Sequence, residues 1–313
     1  MKLLFFGTPA FAVPTLERLL AGPHPVVAVV TQPDRPRGRG RRLSPSPVAE
    51  AAGRAGLPAW RSERAGDPAF VERLRALEPD LGIVVAFGQF LPKPLRELPR
   101  AGFLLNAHAS LLPRHRGAAP IAHAILAGDA ETGISVMRVE REMDAGAVAL
   151  VRRTPIGPDE TTGALEERLA QLAADAIEEA VARQAAGGLT WREQDPSQAT
   201  LAPKLTADDA RLDWRGPAAA LARKVRAMAP RPGAWTTWEG ERLRILHARA
   251  VAAPGADPPG TVRPGDGDAP LRIATGAGWL APLVLQRAGG RPLDAAAFQR
   301  GRALPDGARL GDP

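Results

Sequence analysis

Asn106 and His108 stand two residues apart in the segment Asn106-Ala107-His108-Ala109-Ser110-Leu111-Leu112-Pro113-Arg114-His115-Arg116-Gly117. On an extended backbone both side chains point to the same side. A neutral imidazole exchanges protons near pH 7. A carboxamide donates a hydrogen bond to an oxygen as negative charge builds on it. The pair suits acyl transfer. Asn106 is the only asparagine among 313 residues, which marks a place where the amide itself is needed. A second reading makes Asn106 a turn cap and His108 a satisfied, half-buried histidine, and spacing alone leaves both open.

Asp144, in Glu140-Arg141-Glu142-Met143-Asp144-Ala145-Gly146, reads first as part of a plain turn, which Asp before Ala-Gly commonly marks. Its alternative role is to orient His108 and stabilise its charged form; spacing does not place it beside His108, and Glu131, Glu140 and Glu142 compete for that role. A third segment, Asp34-Arg35-Pro36-Arg37-Gly38-Arg39-Gly40-Arg41-Arg42, holds five Arg in eight residues. With nothing apolar to bury it reads as an exposed, mobile loop, either a solvated surface or a set of forks for phosphate. His108, His115 and His123 lack the spacing of a zinc helix and the chain has no Cys, so no metal is expected. No Ser lies in Gly-x-Ser-x-Gly, and the first strand ends in Gly7-Thr8-Pro9 without the dinucleotide fingerprint.

The elements that must position these residues alternate. Strands are expected at 2–6, 26–31, 81–87, 102–107, 133–138 and 147–153, with helices at 11–20, 47–55, 68–77, 118–127 and 162–186. This order predicts an α/β, Rossmann-like, mostly parallel sheet covered on both faces. Its ligands should lie at the carboxyl ends of the strands. Residues 1–189 form that expected domain and 190–206, rich in Gly, Pro and polar residues, an expected linker. Residues 207–313 follow, with a helix at 216–229 and short strands at 234–238, 243–248, 260–263, 271–275 and 279–286. Five short strands suit a small, OB-like β-barrel.

Charge supports the division. Residues 1–203 carry 24 Lys+Arg against 23 Asp+Glu, whereas residues 204–313 carry 17 against 11. A basic second part suits a polyanionic partner, or solubility alone. No apolar run of membrane-spanning length occurs and the N-terminal run is too short for a secretory signal, so a cytoplasmic location is expected.

The segment Asn106-Ala-His108-Ala-Ser-Leu-Leu-Pro113, followed by Arg116-Gly-Ala-Ala-Pro120, resembles the signature of folate-dependent formyltransferases. Gly128-Asp-Ala-Glu-Thr-Gly133 and the Asp144-Ala-Gly146 turn follow at the expected distance. Gly7-Thr-Pro9, Thr31-Gln-Pro-Asp-Arg-Pro36 and Ala210-Arg-Leu-Asp-Trp214 look like the branch that acts on methionyl-tRNA. The resemblance implies an enzyme that takes 10-formyltetrahydrofolate as formyl donor and initiator methionyl-tRNA as acceptor, and a monomer is the expected state. It implies Asn106, His108 and Asp144 as the catalytic trio and Ser110, Leu111, Leu112 and Pro113 as part of the folate-binding segment. It implies Arg35, Arg37, Arg39, Arg41, Arg42 and Lys204 as tRNA contacts. Met143-Asp-Ala-Gly, in place of the commoner Leu-Asp-Thr-Gly, also resembles formyltransferases of amino-sugar nucleotides. A non-catalytic RNA-binding protein built on the same scaffold is the other reading.

Overall fold

The computed structural model describes residues 1–37, 42–253, 257–267, 269–301 and 303–311, with the side chain of Arg37 left out. The chain divides into two compact units. The first comprises Met1–Pro120, Glu131–Thr154 and Glu166–Ala202; the second comprises Ile121–Ala130, Pro155–Leu165 and Pro203–Pro313.

In the first unit the strands and helices alternate along most of the chain. They are β1 (Leu3–Gly7), α1 (Val13–Ala21), β2 (Val26–Thr31), β3 (Arg35–Arg37), β4 (Arg42–Ser44), α2 (Pro47–Arg54), β5 (Ala59–Arg61), α3 (Pro68–Arg75), β6 (Leu81–Val85), α4 (Lys93–Arg96) and β7 (Leu104–His108). After α5 (Pro120–Ala127) come β8 (Glu131–Arg138), β9 (Val148–Pro155) and α6 (Thr162–Ala185). Seven strands form one sheet in the order β5-β2-β1-β6-β7-β8-β9. β5, β2, β1, β6 and β7 pair in parallel, and β8 runs antiparallel to β7.

The continuously apolar sequences of β1 and β6 reflect burial on both faces, since every residue of both strands is buried. On one face Leu4, Phe6, Val30, Val84 and Leu104 pack with Phe70, Leu74 and Leu95 of α3 and α4. On the other, Leu3, Phe5, Val29, Ile83 and Leu105 have no exposed surface. Helix starts are written in the sequence. Ser46 accepts from the Ala49 N–H at 3.0 Å and Asp67 from the Phe70 N–H at 3.0 Å, each followed by Pro at the first helical position.

The second unit holds α7 (Ala218–Met228), β10 (Ala234–Trp238), β11 (Glu241–Val251), β12 (Val262–Pro264), β13 (Leu271–Ala274), β14 (Trp279–Arg287), β15 (Leu293–Asp294) and α8 (Ala295–Arg300). Its antiparallel sheet runs β10-β11-β14-β13-β12, with β15 also on β14. This is the expected small partly open barrel. Trp214, Val225, Met228, Leu243, Ile245, Ile273, Leu280 and Phe298 fill its core. Among the described residues no helix is long and apolar enough to cross a membrane.

Two expectations need correction. The Arg-rich segment is not an unstructured loop at its ends. β3 and β4 pair antiparallel, Arg35 with Ser44 and Arg37 with Arg42, and Arg61 donates to Asp34 at 2.7 Å at the base of the hairpin. The stretch 190–202 is also more than a connector. Its backbone joins β9 through Val148 and Arg192, and Trp191 and Phe103 flank the Arg138 guanidinium at 4.7 and 5.0 Å. Its polar and Pro-rich composition hid these contacts, because they are made by main-chain groups and one aromatic ring and have no periodicity.

Candidate active site

The parallel sheet reverses its order between β1 and β6, and ligands of such sheets bind outside the carboxyl ends of the strands at that point. Turns from three strands meet there. Thr8, after β1, donates to the Phe87 carbonyl at 3.0 Å, and Gln32, after β2, donates to the same carbonyl at 2.9 Å. Asn106 lies opposite Val84 of β6 and Met137 of β8. His108 ends β7 opposite Ser135. The strand's alternation puts both side chains on one side, as expected.

His108 is buried, with 6% of its surface exposed. Its Nε2 lies 2.9 Å from the His115 carbonyl oxygen. A carbonyl only accepts, so Nε2 carries a hydrogen. Nδ1 faces Asp144 Oδ2 at 3.5 Å. The imidazole is therefore held between two acceptors. Asp144 Oδ2 also accepts from the Gly117 N–H at 2.9 Å. Asp144 and His115 take left-handed backbone conformations, φ +50° and +59°, strained for residues with a Cβ and held by the surrounding bonds.

The segment leaving β7 is built on serines. Ser110 donates to the Arg114 carbonyl at 2.6 Å, while Ser135 of β8 donates to the Ser110 carbonyl at 2.7 Å and accepts from the Leu112 N–H at 3.1 Å. Ser110 is fully buried, so its hydroxyl serves the loop, and Leu111, Leu112 and Pro113 keep partly exposed surface.

Sequence reasoning places Arg116 in the family signature without a role and does not single out Gln194. Arg116 is 7% exposed and donates through Nε and Nη2 to Gln194 Oε1 at 3.1 and 2.8 Å. The Gln194 amide nitrogen donates to the carbonyls of Asp144 and Gly146 at 2.8 and 2.7 Å. The Arg116 main chain pairs with Thr200 and Ala202. Gly117 admits this approach because a Cβ there would meet the Ala202 carbonyl at 2.7 Å. The signal that could have found Gln194 is a lone Gln in the Gln-Asp-Pro-Ser stretch, which carries no chemistry of its own.

The structure brings Asn106, His108 and Asp144 together and runs Ser110–Pro113 off the same strand. Arg35 and Arg42 are exposed. They follow β2, parallel to β1 and β6, and so leave the sheet at the same end as His108. Arg39 and Arg41 lie outside the described residues. Lys204 is exposed in the second unit. Among the described residues there is no group of three or more His, Asp or Glu able to hold a metal ion.

A doubly wound sheet with an Asn-x-His strand end and an Asp beside the imidazole defines a class, and comparison with known proteins agrees. The chain belongs to the formyl transferase family, whose model matches residues 1–181, and the family's C-terminal domain matches residues 204–303. It is 46% identical over 315 residues to a methionyl-tRNA formyltransferase of Roseiflexus sp. strain RS-1, covering 100% of this chain and 96% of that one. It is 48% identical to the methionyl-tRNA formyltransferase of Methylococcus capsulatus, covering 99% of this chain and 100% of the relative. In fold it resembles the N-formyltransferase of Helicobacter canadensis solved with folinic acid and dTDP-3-aminofucose. That match has a TM-score of 0.64 at 14% identity and covers 90% of this chain and 99% of that one.

Proposed function

We propose that this chain transfers the formyl group of 10-formyltetrahydrofolate to the α-amino group of methionine on initiator tRNA, acting as a monomer in the cytoplasm. The observation that carries the reading is the grouping of Asn106, His108 and Asp144 at the end of β7, in a chain alike over its whole length to methionyl-tRNA formyltransferases.

The chemistry follows from the residues. The α-amine attacks the formyl carbon, and negative charge builds on the formyl oxygen. The Asn106 carboxamide, which makes no protein hydrogen bond among the described residues, donates to that oxygen. The His108 imidazolium adds a second donor when Nε2 exchanges the His115 carbonyl for the substrate oxygen. Asp144 keeps the ring oriented and balances its charge. Collapse of the tetrahedral intermediate expels the folate nitrogen, which takes up a proton as the attacking amine loses one. The Leu111–Pro113 edge borders the folate. The exposed Arg35 and Arg42, Arg37, Arg39 and Arg41 between them, and Lys204 serve the tRNA backbone.

The test is one assay with 10-formyltetrahydrofolate and, separately, charged initiator Met-tRNA, charged elongator Met-tRNA and an amino-sugar nucleotide, with products read by mass. A formyl group gained by initiator Met-tRNA alone is the expected result. Formylation of the sugar nucleotide alone overturns the tRNA reading. No transfer by folded protein overturns the enzyme reading.

A further inference from the structure

The geometry points to Gln194 as a positioning residue for Asp144, delivered from the segment that follows the first unit's last helix; this role rests on the formyl-transfer reading above. The side-chain amide has every hydrogen-bonding capacity in use. Its nitrogen faces two carbonyls, of Asp144 and Gly146 at 2.8 and 2.7 Å, which only accept. Its oxygen faces the Arg116 guanidinium at 2.8 and 3.1 Å, which only donates. The amide therefore has one possible orientation.

Asp144 is gripped from two sides. Gly117 N–H holds its carboxylate at 2.9 Å, and Gln194 holds its carbonyl. Both grips trace to the neighbouring residues Arg116 and Gly117, on the segment that begins with His108. The clamp keeps a residue of φ +50° in place and sets the 3.5 Å separation of Asp144 Oδ2 from His108 Nδ1. Gln194 makes no hydrogen bond to His108 or Asn106; its partners are Arg116 and the carbonyls of Asp144 and Gly146, so the role assigned to it is to position Asp144. Small displacements of an orienting group are expensive in rate.

The experiment is a double-mutant cycle with Gln194→Glu and Asp144→Asn, read by single-turnover formyl transfer to initiator Met-tRNA. Gln194→Glu keeps an acceptor for Arg116 but presents a carboxylate to two carbonyls. In the wild-type background we expect the rate at saturating substrates to fall by about tenfold or more, with KM for either substrate changed less than about twofold. In the Asp144→Asn background the same substitution should cost less than about twofold, because the carboxylate that the Gln194–carbonyl bond positions is already gone. Equal losses in the two backgrounds, or an unchanged rate in the first, overturn the role. Gln194→Met, which removes donors and acceptor at similar volume, runs through the same cycle and decides the matter if Gln194→Glu does not fold. A wild-type enzyme that transfers no formyl group overturns the function and this role together. An active wild type with an additive cycle overturns the role alone.

Discussion

Asn106 and His108 divide the labour by what each has left to offer. Both imidazole nitrogens already face protein acceptors, at 2.9 Å and 3.5 Å, while the Asn106 amide makes no protein hydrogen bond among the described residues. Asn106 is thus the donor ready before substrate arrives. Asn106→Ala should cost about 2.7–4 kcal/mol of barrier, the usual loss for one oxyanion donor, seen as a single-turnover rate down by about 100- to 1000-fold. A rate within threefold of wild type removes Asn106 from that role. The pair was legible because two residues of one strand share a face whatever surrounds them. Asp144 was legible only through family resemblance, since its 27-residue separation from Gly117 is closed by tertiary structure that spacing does not report. Gln194 was not legible at all, because its importance lies in two backbone carbonyls that any sequence possesses.

At the scale of elements, caps and close approaches do the positioning. The Ser46 hydroxyl caps α2 and also pairs with the fully buried Thr31 hydroxyl at 2.7 Å. Ser46→Ala should destabilise the protein by about 1–3 kcal/mol, from the lost cap and an orphaned hydroxyl; equilibrium denaturation would measure it, and a change below about 0.5 kcal/mol would contradict it. Gly146 shows the same logic in reverse. A Cβ there would lie 2.0 Å from the Arg138 carbonyl, so Gly146→Ala must push the Asp144 turn away from β8. We expect both a lower melting temperature and slower transfer, measured side by side. Long buried strands such as Val26–Thr31 were readable from their sequence because burial on both faces needs apolar residues throughout. The short β5, β15, α4 and α8, and the β3–β4 hairpin, were not. Each is two to six residues long, too short for periodicity, and pairing or packing with neighbours sustains it.

For the whole molecule, charge is the governing quantity. Arg35 and Arg42 in the first unit are exposed, and the second part of the chain carries an excess of six positive charges. Affinity for tRNA should fall steeply with salt, and replacing Arg35 or Arg42 by Ala should each lower the slope of log Kobs against log salt by about 1. A salt-independent affinity, or unchanged slopes, would refute phosphate contact by the hairpin. Acid should weaken the second unit in part through Asp213. Asp213 is held near a pKa of about 2, against 3.8 ordinarily, by hydrogen bonds from the Arg215 side chain and backbone. A lowered carboxyl contributes stability above the unfolded value, and that contribution disappears as pH falls from about 4 toward 2. Both partners are largely exposed, so the effect is small and screened. Asp213→Asn should lower neutral stability slightly and, by that same small amount, flatten acid unfolding in that window, with stability near pH 2 unchanged; equilibrium denaturation at about pH 7 and about pH 2 would measure both.

The two units are interleaved along the chain, and this sets a timetable for a protein made from one end. The first unit borrows residues up to Ala202, and residues 121–130 and 155–165 belong to the unit that finishes near the other terminus. A nascent chain that has emerged only as far as α6 has β7 and Asp144 but neither Gln194 nor the Ala202 carbonyl that Gly117 accommodates. The reactive centre is therefore among the last features of the first unit to be completed, ahead of the second unit's residues 203–313. A truncated product ending before residue 194 carries Asn106, His108 and Asp144 and lacks the Gln194 bonds to Arg116, Asp144 and Gly146.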